Sequence, residues 1–178
     1  MIDFYDQQVQ KHGHWWSGNY SSWKEANKEC LGYAEVHIAE QVKNVILKTK
    51  DHPYQYERDG CVIPGEPTYA FELLHWIKES AINNKINLVD FGGSLGTTYY
   101  QLKKYLSNYE IKWNVIEQDH FVKIGKETFE DDNIKFYYTI DECLKHTTPN
   151  CFISSSVLPY IEDSHNILKE AFKKKFDW

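Results

Sequence analysis

Leu88-Val89-Asp90-Phe91-Gly92-Gly93-Ser94-Leu95-Gly96-Thr97 is the stretch that decides the fold. The apolar run Ile86 to Phe91 ends beside a carboxylate and breaks into closely spaced glycines. A helical pattern then spans about 97–107. Strand, glycine-rich turn and helix in that order open a parallel α/β sheet. Downstream the same unit recurs. Lys112 to Glu117 reads as a second strand, with Asp119 capping a helix to about Phe129. Ile134 to Tyr138 is a third strand, and Thr139-Ile140-Asp141-Glu142 has the form of a capping box opening a short helix. Cys151 to Ser156 is a fourth strand, and a last helix covers about 163–174. Four βα units in succession predict an α/β domain with a mostly parallel sheet and covering helices over residues 86–178.

Upstream, residues 1–85 read as a helical, aromatic-rich extension. Ser22-Trp23-Lys24-Glu25 is another capping-box pattern, and its helix is expected to end at Gly32. A second helix from about Ala34 to Thr49 puts Ile38, Val42, Val45 and Ile46 on one face. Residues 51–67 carry Pro53, Pro64, Pro67, Gly60 and Gly65 and are expected to be irregular. A third helix over about 68–83 aligns Ala70, Leu73, Leu74, Ile77 and Ala81.

Composition excludes several classes of function. The chain has 178 residues, 42% hydrophobic and 26% charged, enough for a core without disulfides or metal. No apolar run approaches the twenty residues of a membrane span, and mean hydropathy is -0.62. Met1 leads into Asp3, Asp6, Gln7 and Gln8 with no apolar leader, so a cytoplasmic protein is expected. A net charge of -6 disfavours nucleic acid as a partner. Cys30, Cys61, Cys143 and Cys151 have no zinc-like spacing and read as reduced thiols. His12-Gly13-His14 could touch a metal but reads better as a terminal segment, and no metal is expected.

Among 20 basic residues the one arginine is Arg58. Its planar fork suits a carboxylate or phosphate, in the protein or in a ligand. Asp59 beside it is either its structural ion-pair partner or a candidate base. Trp15, Trp16, Tyr20 and Trp23 are read as packing residues, with a sugar-stacking face as the alternative.

The glycines carry the chemistry. A dinucleotide site favours G-x-G-x-x-G, but the run here is Gly92, Gly93 and Gly96, which disfavours an NAD-type oxidoreductase. What the stretch does resemble is motif I of Rossmann-like S-adenosylmethionine-dependent methyltransferases, as Asp90-x-Gly92-x-Ser94-x-Gly96 with a serine at the usual middle glycine. The resemblance implies that Asp90 holds the ligand's ammonium, directly or through water. It also implies that Gly92, Gly93, Ser94 and Gly96 let the ligand cross bare backbone. Glu117, 27 residues after Asp90, would accept from the ribose hydroxyls, with Gln118 beside it. Ser154-Ser155-Ser156-Val157-Leu158-Pro159-Tyr160 is similar to the motif beside the transferred methyl group in many small-molecule methyltransferases, adding Ser154 and Ser155. Arg58 joins the cofactor-binding candidates.

Trp16 to Trp23, Gly32-Tyr33, Tyr56 to Gly60, Asp90 to Thr97 and Trp113 to Gln118 follow one another in order. Together they resemble a family of bacterial methyltransferases found among genes for surface-polysaccharide assembly. That resemblance implies methyl transfer from S-adenosylmethionine to a glycan or glycan precursor by in-line displacement. A sugar hydroxyl acceptor would call for a base, for which Asp59, His75, His120 and Tyr20 are the candidates. The family's sheet order, counted from its first strand, begins 3-2-1-4 and continues with further strands. Ending at Trp178 is therefore expected to leave out the C-terminal strands and expose the fourth strand as an edge open to a second copy of the chain. A non-catalytic or assembly subunit retaining the cofactor fold is the alternative.

Overall fold

The computed structural model describes residues 18–29, 36–174 and 176–178. His12, His14, Trp15, Trp16, Cys30, Gly32, Tyr33 and Ala34, singled out from the sequence, lie outside them. The chain forms two compact units, Met1–Glu66 and Pro67–Trp178. The change of sequence rhythm near residue 85 lies later than this division, because the helical segment after Pro67 is bound into the second unit. Tyr69 Oη donates to Gln101 Oε1 at 2.8 Å and Asn150 Nδ2 donates to the Ser80 carbonyl at 2.8 Å.

In the first unit, α1 (Trp23–Ala26) is a single turn capped as its sequence predicts, with Ser22 Oγ accepting from the Glu25 N–H at 3.2 Å. The return bond of Glu25 reaches the N–H of Ser21 rather than that of Ser22. Helix α2 (Val36–Thr49) buries Ala39, Val42, Val45, Ile46 and Thr49, one residue in three or four. Residues 51–67 are not irregular throughout. They contain an antiparallel hairpin of β1 (Gln55–Arg58) and β2 (Cys61–Pro64). Asp59 and Gly60 form its two-residue turn, both with positive φ (50° and 72°), the conformation for which Asp-Gly is the favoured pair. The buried Glu57 carboxylate accepts the Gly60 N–H at 2.8 Å and fixes that turn from below.

In the second unit, a 3₁₀ turn at Thr68–Ala70 leads into α3 (Phe71–Glu79). The helix stops four residues before the predicted 83 because Asn83 and Asn84 both take positive φ and turn the chain into the sheet. The sheet comprises β3 (Lys85–Phe91), β4 (Glu110–Ile116), β5 (Ile134–Tyr137) and β6 (Cys151–Ile153), all parallel. Counted along the whole chain its order is 5-4-3-6. The 3-2-1-4 of the sequence pattern starts its count at Ile86 and has no hairpin before the sheet. Strand β6 ends at Ile153, three residues short of the predicted Ser156.

Register puts Ile86, Leu88, Asp90, Trp113 and Val115 on one face of the sheet and Val89, Phe91, Asn114 and Ile116 on the other. Onto the first face fold Leu95, Tyr99 and Leu102 of the turn and α4 (Thr97–Leu102); the Tyr99 and Trp113 rings lie 5.6 Å apart. Helix α4 runs on as a 3₁₀ turn over Lys103–Leu106. Helix α5 (Asp119–Thr128) packs against β5, with Gln118 rather than Asp119 in the capping position. Helix α6 (Ile140–Cys143) lies on β4 and β5, and Thr139 Oγ1 accepts from the Glu142 N–H at 3.0 Å. Helix α7 (Ser164–Lys173) follows a capping Asp163.

The outer edge of β6 is not bare. Trp178 donates its N–H to the Asn150 carbonyl at 3.1 Å and accepts from the Phe152 N–H at 3.0 Å, the bonding of one parallel bridge. The edge predicted for pairing with a second copy is thus engaged at its start by residues of the same chain.

Gly125 of α5 lies against the fully buried Phe136 ring, where a Cβ would overlap it. Alanine in a helix normally gains about 1 kcal/mol over glycine. Here Gly125→Ala is expected to destabilise by about 1–3 kcal/mol through overpacking. Urea denaturation measures it, and Phe136→Leu in the same chain should recover part of the loss.

Candidate functional site

The chain runs from β3 outward through β4 to β5, then crosses back to place β6 on the other side of β3. Loops leaving β3 and β6 therefore diverge at the carboxyl ends of these neighbouring strands. This is the crevice where open parallel sheets take their ligands. The Gly92–Gly96 turn and the Ser154–Val157 segment border it by topology alone.

Asp90, the one charged residue of its sheet face, is 1% exposed and accepts from Trp113 Nε1 at 2.9 Å. Gly93 passes directly over the carboxylate, so that a Cβ there would strike it. Asp90 thus lies beneath the turn and is shut off from solvent. Glu117, half-buried at the tip of β4, accepts from the Ser94 N–H at 3.2 Å and from the Gln118 N–H at 2.7 Å. It ties the turn after β3 to the end of β4. Ser94 itself sits at φ 56°, a left-handed conformation unusual for a residue with a side chain.

The glycines are used by the chain's own packing. Gly92 (φ 75°) faces Val157, and Gly96 (φ 83°) faces Ile134; a Cβ at either would overlap those side chains. At the far border, the Ser154 hydroxyl is buried with no hydrogen-bond partner among the described residues, while Ser155 is exposed. A cavity of about 330 Å³ lies beside β6, lined by Leu73, Trp76, Phe152, Ile153, Ser154 and Trp178 among others. Of the predicted cofactor-binding residues it includes Ser154 alone.

Asp90, Gly92, Gly93, Ser94, Gly96, Glu117 and Gln118 therefore come together, with Ser154 and Ser155 across the crevice. Arg58, Asp59 and Tyr20 belong to the first unit. Arg58 Nε lies 3.9 Å from Asp59 Oδ2, and Asp59 holds the first position of the hairpin turn. His75 is exposed on α3 with its ring against Trp76, and His120 lies in the first turn of α5, next to Phe121. Trp113 and Val157 fall within motifs read from the sequence, but that reading assigns neither a role of its own. Neither role is visible without strand register or the path of a loop. Cys61, Cys143 and Cys151 are free thiols, and burial pushes Cys143 up to about 12. No cluster of three or more His, Cys, Asp or Glu suited to a metal ion occurs among the described residues, and none of their helices is long and apolar enough to cross a membrane. Comparison with protein-family models, with curated proteins and with solved structures finds no match.

Burial pushes the Asp90 carboxyl up to about 7; the Trp113 hydrogen bond opposes this, and the nearby Glu117 adds a smaller upward push. Burial also raises Glu117, against the two backbone N–H groups it accepts. The folded protein then retains a proton that the unfolded chain releases near 3.8. Stability from the protonated Asp90 is complete below that value and is lost as pH rises through about 7. Asp90→Asn keeps an oxygen able to accept from Trp113. It should match wild type near pH 4 and exceed it at pH 8 by a margin on the order of 4 kcal/mol at most. Urea midpoints across that range measure the effect. Glu117, raised in the same direction, adds a slope of the same sign to both proteins, and equal slopes in both would disprove the assignment.

Proposed function

We propose that this chain is a Rossmann-like, S-adenosylmethionine-dependent methyltransferase acting on a glycan or glycan precursor. The observation that carries the reading is the convergence of a carboxylate and a glycine-rich turn at the carboxyl ends of adjacent parallel strands, joined by the Ser94 N–H to Glu117 bond. The parallel order of the sheet, the acidic residue before the turn and the position of Glu117 at the second sheet strand all support it. Support for a glycan acceptor comes from the sequence resemblance.

The residues present fit the cofactor best at Glu117. Its two oxygens each accept one backbone N–H and retain lone pairs for the ribose hydroxyls. Asp90 would act from below by fixing the turn. S-adenosylmethionine, when bound, supplies an electrophilic methyl group, and the protein's part is to orient the acceptor in line with it. Within the unit that holds the crevice, a base for a hydroxyl acceptor would come from His75 or His120, of which His120 stands three residues after Glu117 in sequence.

One observation favours the second reading, a non-catalytic or assembly subunit. The bare backbone that a ligand would cross is occupied by Val157 at Gly92 and by Ile134 at Gly96.

Titration calorimetry with S-adenosylhomocysteine and S-adenosylmethionine decides between them. The enzyme reading expects saturable binding below millimolar ligand, weakened by about 1–3 kcal/mol in Glu117→Ala, as for loss of a hydrogen-bonding partner. Absence of binding by the folded protein at millimolar ligand would remove the methyltransferase reading. Binding without methyl transfer to any glycan acceptor would favour the subunit.

A further inference from the structure

Building on the reading of the crevice as an S-adenosylmethionine site, we propose that Val157 is a ligand-site residue. Its side chain takes the space over Gly92 that the bound molecule needs, and binding moves the Ser154–Val157 segment aside.

Three observations meet at this segment. Val157 is packed on the α-carbon of Gly92, so the glycine's bare face is filled from within the chain. Ser156 holds φ 62°, a left-handed conformation that costs a residue with a side chain, and this bend delivers Val157 to the turn. Ser154 has a buried hydroxyl without a hydrogen-bond partner among the described residues. The covering arrangement thus carries a backbone cost and an unmet polar group, and both can be relieved when the segment moves. The segment is itself neither helix nor strand. Regular structure ends at Ile153 and resumes only in the 3₁₀ turn at Leu158–Tyr160.

The opposite border of the crevice is fixed. Gly92 donates its N–H to the Ile116 carbonyl at 2.9 Å, Ser94 is bound to Glu117, and Gly93 rests on the buried Asp90. Room for a ligand over Gly92 therefore has to come from the Val157 side. The class of ligand that would use it is an adenosine carrying an amino-acid chain, long enough to run from Glu117 across the turn toward β6.

The test compares wild type with Val157→Ala, using S-adenosylhomocysteine in titration calorimetry. If a covered state reduces the competent fraction, the alanine variant should bind about 5–10-fold more tightly. Equal or weaker affinity in Val157→Ala overturns the role of Val157 and leaves the cofactor reading standing. No binding by either folded protein overturns both. A ligand-free cycle checks the contact itself. Gly92→Ala should be destabilising, and Val157→Ala should relieve part of that loss in the double variant. Strictly additive urea midpoints would show that Val157 does not lie over Gly92 in solution.

Discussion

A carboxylate almost wholly removed from water, Asp90, is bound by the indole N–H of Trp113 on the neighbouring strand. A buried acid with a single strong donor is costly to leave unpaired, so this bond restricts which registers of β3 and β4 are tolerable. A one-residue slip would turn Trp113 to the opposite face and strand both groups. With register fixed, Gly93 can close over the carboxylate and Glu117 arrives level with Ser94. The geometry of the crevice thus descends from one hydrogen bond inside the sheet.

Asn114, on the opposite face of the same strand, meets a similar constraint without a charge. Its side-chain amide donates to the Leu88 carbonyl at 2.8 Å and to Asn87 Oδ1 at 3.0 Å. Asn87 in turn donates to Thr147 Oγ1 at 2.9 Å, in the loop that precedes β6. Polar side chains on both faces therefore reinforce the pairing of β3 and β4, and one chain of bonds continues toward β6. Such networks favour one arrangement of strands when every member is paired.

The α/β class was legible because buried parallel strands are written as compact apolar runs, as in Ile86 to Phe91. The glycine turn was legible as well, since positive φ at Gly92 and Gly96 restricts which residues can stand there. What each glycine faces was not. Val157 is 65 residues from Gly92, and their meeting depends on β6 crossing back over the sheet. The hairpin was readable from Asp59-Gly60, but its four-residue strands are too short to show alternation and lie among prolines that suggest loop. Helix ends were overrun where tighter 3₁₀ turns or paired asparagines replace the last helical turns, changes that hydrophobic spacing does not record. The resemblance to methyltransferases adds a ligand to these residues, while packing alone already explains why glycines occupy the turn.

Strand β6 is paired to β3 over three residues, whereas β4 is paired to β3 over seven. Local opening takes less free energy than global unfolding where few backbone pairs have to break. Ser154 to Val157 are attached directly to β6. The Ser154–Val157 side of the crevice is therefore attached to a strand with a short pairing to β3, and its floor to the long pairing of β3 with β4. Opening on that side would therefore disturb three residue pairs of the sheet and leave the seven that hold the floor in place.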